Sequence, residues 1–361
     1  MELTVVVPTY NERENVAVLV ERMSTALEGV SSSWEVVFVD DDSPDGTAEA
    51  VRELSIVNPR VRCIRRIGRR GLSSACIEGM LSSDASFLAV MDADLQHDET
   101  LLAGMLDTLR GSDVDIVVGS RYVEGGSVGR WDETRSFISY IGTALGRLVI
   151  KADLKDPLSG FFMLRGELLE RTVHGLSARG FKILVDIFAT AGGKITFKEL
   201  PFTFRNRYAG QSKLDSLTLW EYFLLVAEKT LGGRVPVEYP AWAGGMALAA
   251  VVHMLTLHVL HVSLGLGFVL SQSGGAAASA LFVYGAGDYF VGRRFKRGAA
   301  VFLKGLAGFA AAALPGFIYS VGAAALLDGA GVSRLQAGLC GAVGGVLWCY
   351  LVVTTFSRRA G

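Results

Sequence analysis

The chain has 361 residues, half of them hydrophobic, and a formal net charge of −1 at pH 7. That near-neutral total hides a segregation: residues 1–240 carry 27 Lys+Arg against 34 Asp+Glu, whereas residues 241–361 carry 8 against 2. An acidic, charge-rich part therefore precedes an apolar, basic one, and no basic stripe marks nucleic acid as a partner.

In chain order, Leu3–Val7 is a β-branched apolar run that predicts a strand, followed by Pro8 and a polar turn. Glu14–Leu27 predicts an amphipathic helix, and Glu35–Val39 a strand ending in Asp40, Asp41 and Asp42. Thr47–Leu54 reads as a helix, Val61–Arg65 as a strand, Gly71–Leu81 as a helix, and Ser86–Met91 and Asp115–Gly119 as strands. This alternation predicts an α/β fold with a mainly parallel sheet covered on both faces. Polar and acidic residues gather just after the strands, at Asn11–Glu12, Asp40–Asp42 and Asp92–Asp94, where open α/β sheets bind ligands. Met1 leads straight into the first strand with no signal-peptide pattern, so this half is expected in the cytoplasm. The four cysteines show no metal-ligand spacing and two lie in hydrophobic segments, which suits a reducing compartment.

Leu214–Leu231 is apolar but interrupted by Asp215, Glu221, Glu228 and Lys229, too polar to span a bilayer. It is expected to lie at the membrane surface; a helix packed on the soluble part is the plainer alternative. Four spans are expected near 241–262, 267–291, 305–327 and 335–356, each close to the roughly 20 residues a bilayer requires. The connection holding Arg293, Arg294, Lys296, Arg297 and Lys304, with Arg358 and Arg359, places that loop and both chain ends in the cytoplasm. His253, His258 and His261 lie at i, i+5 and i+8, a spacing that favours packed or interfacial histidines over a metal site.

The strongest chemical signal is Asp92-Ala93-Asp94 with Gln96, directly after a buried strand. Two carboxylates there can hold a hard cation such as Mg²⁺, which also takes phosphate oxygens and water. A nucleotide diphosphate leaving group needs such neutralisation. An isolated D-x-D is more often an acidic turn or cap. A second acidic strand end, Asp40 to Thr47, offers a carboxylate to a base or ribose, with helix capping from Asp45 as the ordinary alternative.

Val7-Pro8-Thr9-Tyr10-Asn11-Glu12, Val39 through Gly46, and Met91-Asp92-Ala93-Asp94-Leu95-Gln96-His97 together resemble the nucleotide-sugar transferases of glycosyltransferase family 2. A narrower resemblance, to dolichyl (polyprenyl) phosphate mannose synthases, rests on four further motifs. These are Gly119-Ser120-Arg121-Tyr122, Asp156 through Phe162, Phe181-Lys182-Ile183-Leu184, and Arg207 through Lys213. The C-terminal spans resemble GtrA-like membrane domains. The resemblance implies a GT-A catalytic domain over 1–212, an interfacial helix region over 213–238 and a four-helix transmembrane domain over 239–361.

It further implies that Pro8, Tyr10, Glu12, Val39 and Asp41 surround the donor's base and ribose, with Ala93 close to the donor. Asp92, Asp94 and Gln96 would hold Mg²⁺ or Mn²⁺. Arg121, Lys182, Arg207 and Lys213 would meet donor or acceptor phosphates, and Arg135 with Ser139 the acceptor phosphate. Asp92, Asp94, Arg121, Arg207 and Lys213 are the catalytic set. Arg supplies a planar fork of donors and Lys a mobile point charge, both suited to phosphate. Gln211 departs from the family, which has Glu at that position. The implied activity is inverting transfer from GDP-mannose to a polyprenyl phosphate by a multi-pass protein of the cell membrane, its catalytic domain cytoplasmic. Alternatives are a UDP-glucose or UDP-amino-sugar donor, a polysaccharide synthase (whose Gln-x-x-Arg-Trp motif is absent), and a non-enzymatic lipid-sugar transporter or scaffold.

Overall fold

The computed structural model describes residues 1–31, 33–129, 133–178, 180–205, 216–230, 238–287 and 299–359. The chain divides into two compact units, Met1–Val235 and Pro236–Gly361.

The first unit is built on seven strands: β1 (Leu3–Thr9), β2 (Trp34–Asp40), β3 (Val61–Arg65), β4 (Phe87–Val90), β5 (Ile116–Ser120), β6 (Phe162–Arg165) and β7 (Phe197–Pro201). Their order across the sheet is β3-β2-β1-β4-β6-β5-β7. β1 pairs in parallel with β2 and β4, β2 with β3, and β5 with β7; β6 alone runs antiparallel, between β4 and β5. The Val-rich runs suit central strands buried on both faces, and all seven residues of β2 are buried. Side chains alternate between two cores: Val5 and Val7 enter one with Leu19, Met105 and Phe161, while Val6 enters the other with Met80, Leu184 and Leu225.

The helices of this unit are α1 (Arg13–Leu27), α2 (Thr47–Val57), α3 (Leu72–Leu81), α4 (Leu101–Arg110), α5 (Glu133–Val149), α6 (Gly166–Thr172), α7 (Ile183–Ala191) and α8 (Ser216–Thr230). α8, expected at the membrane surface, buries Tyr222, Leu225 and Val226 in the core under the sheet and leaves Phe223 half exposed. Tyr222 Oη donates to Gly142 O on α5 at 2.7 Å, and Lys229 Nζ pairs with buried Asp186 on α7 at 2.6 Å. The charges that interrupt this helix thus include one that ties it down to the unit.

In the second unit α9 (Glu238–His258) continues through a π-helical turn at Val259–Ser263, followed by α10 (Phe268–Gly287), α11 (Ala299–Gly329) and α12 (Arg334–Arg359). Among the described residues three stretches, Ala243–Ser263, Leu303–Gly329 and Arg334–Val352, are long and apolar enough to cross a membrane. α10, expected as the second of four spans, is a helix of 20 residues that is not among these three. Its run Ser271-Gln272-Ser273 is the reason: Gln272 is fully buried, and its amide nitrogen donates to Ser320 O of α11 and Gly338 O of α12. The amide nitrogen is thus satisfied by neighbouring helices, while the buried Oε1 has no hydrogen-bond partner among the described residues. The basic run Arg293–Arg297 lies outside the described residues.

Close packing of α3 on the sheet aligns the loops at its end. A Cβ on Gly79 would fall 2.8 Å from Val39 Cγ2 and closer still to Val6 Cγ1. Gly79→Ala should therefore lower stability by about 1–3 kcal/mol through overpacking, read as the midpoint of denaturant unfolding in detergent. An unchanged midpoint means that α3 can back away without loss.

Candidate active site

The parallel strands β1, β2, β4 and β5 end at one edge of the sheet, and each is followed by a loop of polar or charged residues. Among the described residues four non-glycine residues have positive φ: Asn11 (56°), Asp42 (56°), Leu95 (61°) and Ala178 (56°). The first three lie just after β1, β2 and β4. Asn and Asp adopt this conformation with modest strain, whereas a buried Leu costs about 1–2 kcal/mol. Such strain concentrates at functional sites.

On the β1–β2 side, Ser43 stitches the two loops together. Its Oγ donates to Asp40 Oδ1 and accepts from the Asn11 N–H at 2.9 Å. The Glu12 N–H donates to Thr47 Oγ1 at 3.0 Å, and Thr47 in turn donates through N–H and hydroxyl to Asp45 Oδ1. Asp45 thus serves the start of α2, the ordinary role foreseen for it. Asp41 is buried and holds buried Arg66: the Arg66 Nε donates to Oδ1 at 2.7 Å, and the Gly71 N–H to Oδ2 at 2.8 Å. Burial pushes the Asp41 carboxyl up from its ordinary range, against the pull of Gly71 and Arg66. Asp42 pairs with Arg65. Each acid of the run thus has an internal partner, and a ribose contact by Asp41 must share its carboxylate with the loop 66–71. Pro8, Tyr10 and Val39 occupy this same side, with Val39 buried and Tyr10 half-buried.

The turn after β4 is built more tightly. Asp94 and Ala93 are buried, and Asp94 Oδ1 accepts from the Gln96 N–H at 3.1 Å. The Gln96 amide nitrogen donates to Arg205 O at 2.9 Å, and the Arg205 N–H returns a bond to Gln96 O at 2.9 Å. The Arg205 guanidinium closes on Asp98 and Glu99 at 2.9 and 2.8 Å. His97 is fully enclosed: its ring stacks on Phe161 at 5.2 Å and meets Phe202 and Phe204 edge-on. Its Nδ1 accepts from the Asp92 N–H at 3.2 Å, so the ring proton sits on Nε2, 3.9 Å from Asp92 Oδ2. Burial pushes the His97 pKa down to about 4, and the ring is neutral at pH 7. Behind Asp92, a Cβ on Gly160 would lie 3.0 Å from Oδ2, so this carboxylate occupies space that only glycine leaves.

Asp92, Asp94 and Gln96 fit a hard cation by chemistry: two carboxylates, and an amide whose nitrogen is turned to Arg205 and whose oxygen is the ligating end. Among the described residues no group of three or more His, Cys, Asp or Glu side chains is placed to hold a metal. The donor set therefore suits an ion that takes its remaining ligands from phosphate and water, as Mg²⁺ does.

Two of the expected cations stand beside this turn. Arg121 makes a bidentate pair with fully buried Asp156, Nε–Oδ2 and Nη2–Oδ1 both 2.7 Å, and its N–H adds a third bond. Burial alone would lower the Arg121 pKa, but the Asp156 bonds reverse the sign and raise it. Lys182 Nζ donates to Leu158 O at 2.8 Å, in the loop that brings Gly160 against Asp92. The Arg121 guanidinium lies over the ring of Phe204, which meets His97 edge-on, and Lys182 holds Leu158 two residues before Gly160, so both cations stand around this turn. Ser139 on α5 is buried, and its Oγ lies 3.0 Å from Tyr122 Oη, next to Arg121. The Arg135 side chain, Arg207 and Lys213 lie outside the described residues, although Arg207 follows Arg205 by two positions. Sequence reasoning gave no role to His97, Arg205, Asp156 or Gly160; His97, Asp156 and Gly160 stood inside the quoted motifs, but only the fold supplies their partners.

Residues 4–173 match the family model for glycosyl transferase family 2. The dolichol-phosphate mannosyltransferase of Pyrococcus furiosus is 44% identical over 224 residues, which is 62% of this chain and 62% of that protein. The dolichol-phosphate mannosyltransferase of Mycosarcoma maydis is 34% identical over 270 residues, covering 73% of this chain and 90% of that one. The polyprenol monophosphomannose synthase of Mycolicibacterium smegmatis is 32% identical over 237 residues, 64% of this chain and 88% of that protein. The match thus spans just under two thirds of the length of the Pyrococcus relative.

The Arg121–Asp156 pair should behave as a positioning device rather than a stabilising one. Asp156→Asn, which strands a buried guanidinium, should lower stability by about 3–5 kcal/mol. The double variant Arg121→Met/Asp156→Leu should recover most of that loss in thermal unfolding. A double variant no more stable than Asp156→Asn would show that the pair stabilises in its own right.

Proposed function

Because the chain belongs to glycosyltransferase family 2, among the dolichyl (polyprenyl) phosphate mannosyltransferases, we propose that it transfers mannose from GDP-mannose to a polyprenyl phosphate. The observation that carries this reading is the convergence of Asp92, Asp94 and Gln96 with Arg121 and Lys182 at one sheet edge, in a chain with these relatives. Acids and cations at one centre make sense where metal and phosphates separate the signs.

The nucleophile is the acceptor phosphate. A phosphate monoester is largely a dianion at neutral pH, so no side chain need deprotonate it and no general base is required. One of its oxygens bonds to the anomeric carbon as the bond from that carbon to the donor's diphosphate oxygen breaks, inverting the centre and releasing GDP. A Mg²⁺ or Mn²⁺ held by Asp92, Asp94 and Gln96 supplies charge neutralisation for the departing diphosphate. His97 keeps Asp92 in place: it takes the Asp92 N–H on Nδ1 and turns its own N–H toward Oδ2. In this reading Pro8, Tyr10, Glu12, Val39 and Asp41 take the base and ribose, and Ala93 borders the donor. Lys182, Arg207 and Lys213 take its phosphates, and Arg121, Arg135 and Ser139 receive the acceptor phosphate. The hydrogen bond between Ser139 and Tyr122 supports the last assignment, since it joins α5 to the loop carrying Arg121.

The apolar helices of the second unit anchor the enzyme, with the catalytic unit and both chain ends on the cytoplasmic side of the cell membrane. The proposed parts are a catalytic domain over 1–212, a connecting region over 213–238 and a membrane domain over 239–361.

Purified full-length protein, given labelled GDP-mannose, Mg²⁺ and a short polyprenyl phosphate, should yield a lipid-linked mannose with a β linkage by NMR of the released sugar phosphate. Chelation should abolish turnover, and Asp94→Asn should reduce it by about a hundredfold or more with the unfolding midpoint unchanged. Transfer from UDP-glucose instead, a polymer, an α linkage or metal-independent turnover would each overturn the corresponding part.

A further inference from the structure

Four arginines crowd the end of β3 and the loop that leads to α3: Arg65, Arg66, Arg69 and Arg70. Three are answered by acids, Arg65 by Asp42 and Glu49, buried Arg66 by Asp41, and Arg69 by Glu78. Among the described residues Arg70 has no acidic partner. Its guanidinium instead lies over the ring of Tyr10, 4.5 Å from the centroid. A cation–π contact at an exposed site is weak, so this pair opens readily.

The loop is anchored so that its tip stays beside Tyr10. Asp41 holds both ends, taking the Arg66 guanidinium on Oδ1 and the Gly71 N–H on Oδ2. Arg66 closes the base further by donating to Gly71 O and Ser74 Oγ, each at 2.9 Å. Gly68 (φ 72°) and Gly71 (φ 143°) bracket Arg69 and Arg70 in backbone conformations that side-chain-bearing residues rarely adopt. The tip itself is exposed, with Ile67 73% accessible. Apart from the exposed Arg69–Glu78 pair, the contacts that fix the loop are at its base, and Arg70 at its tip rests on an aromatic face.

We propose that Arg70 reads the donor's nucleobase and sets a preference for guanosine over uridine diphosphates. This rests on the reading above, which places the base at Tyr10. The base takes the ring face by stacking, and Arg70, released from that face, turns its planar fork to the base edge. Guanine offers two acceptors, O6 and N7, in the spacing that an arginine fork pairs with. Uracil lacks that pair, and adenine presents a donor beside its N7. Phosphate contacts fall elsewhere, because Arg121 and Lys182 stand by the turn after β4, whereas Arg70 stands on the β1–β2 side.

The test is calorimetric binding of GDP, 7-deaza-GDP, ADP and UDP to the full-length protein in detergent with Mg²⁺, for wild type, Arg70→Leu and Arg70→Lys. Wild type should bind GDP about tenfold or more tighter than 7-deaza-GDP, ADP or UDP. Arg70→Leu should lose that advantage for GDP while its ADP and UDP affinities stay within about twofold, and Arg70→Lys should not restore it. Equal losses for all four nucleotides would make Arg70 a phosphate contact and overturn the inference. So would a variant that keeps the full preference for GDP, which leaves the GDP donor intact. A wild type that prefers UDP overturns the donor assignment and this inference with it. An unchanged unfolding midpoint for each variant excludes loss of fold as the cause.

Discussion

Strand β6 runs antiparallel in a sheet that is otherwise parallel, pairing Phe162 with Val90 of β4 on one side and Val118 of β5 on the other. That reversal brings the loop entering β6 to the same edge as the loops leaving β1, β2, β4 and β5. A parallel strand in this place would have put Asp156, Ser159 and Gly160 at the opposite edge. Instead Asp156 meets Arg121 after β5, and Gly160 backs the Asp92 carboxylate after β4. The register is pinned by Ser159, whose Oγ donates to Gly119 O at 2.7 Å, and by the Gly119 N–H, which donates to Phe161 O at 2.9 Å.

With these loops converged, most of the charge at the edge is already matched within the protein. Asp156 answers Arg121, Asp41 answers Arg66, and Asp98 with Glu99 answers Arg205. The first two pairs are buried and gain little stability because desolvation offsets their attraction, and the partly exposed Arg205 pairs gain little because solvent screens them. What they contribute is position. Arg205 fixes the chain just before the segment holding Arg207 and Lys213, and Arg66 fixes the loop beside Tyr10. Asp92 and Asp94 belong to the turn after β4, beside His97, which is enclosed by Phe161, Phe202 and Phe204 and stays neutral.

Elements with a local signature were legible in the sequence. β1, β2, β3 and α1 to α3 stand within three residues of their expected bounds, because β-branched runs and helical periodicity are carried by neighbours in the chain. The acids after β2 and β4 were placed correctly at strand ends for the same reason. β6, four residues long, and α4, α6, α7 and β7 were not foreseen; β6 exists because β4 and β5 flank it, not because Phe162–Arg165 prefers extension. α8 shows the limit from the other side. Its composition allowed a surface or a packed helix, and only the contacts of Tyr222 and Lys229 reveal which face is buried. Within the site, Asp92, Asp94, Gln96, Arg121 and Lys182 were readable from motifs. The bonds that orient them join residues far apart in the chain, such as Gln96 to Arg205, and no local pattern announces these.

The two sides of the site are consequently held by different physics. On the side of Tyr10 and Asp41, loops leave adjacent hydrogen-bonded strands, so their spacing is set by the ladder. On the side of Ser139 the support is helical packing. Gly142 and Gly146 let α5 approach so closely that a Cβ would stand 2.8 Å from Leu158 Cδ1 and 2.7 Å from Tyr222 Oη, respectively. The Tyr222 hydroxyl closes this contact on Gly142 O, which lies less than one turn from Ser139. α5 therefore touches the loop of Gly160 on one side and α8 on the other, and α8 is the last helix before the apolar unit begins. A displacement of α8 would reach Ser139 through Tyr222 and α5, and Lys182 through the contact of the Tyr222 ring with Phe181.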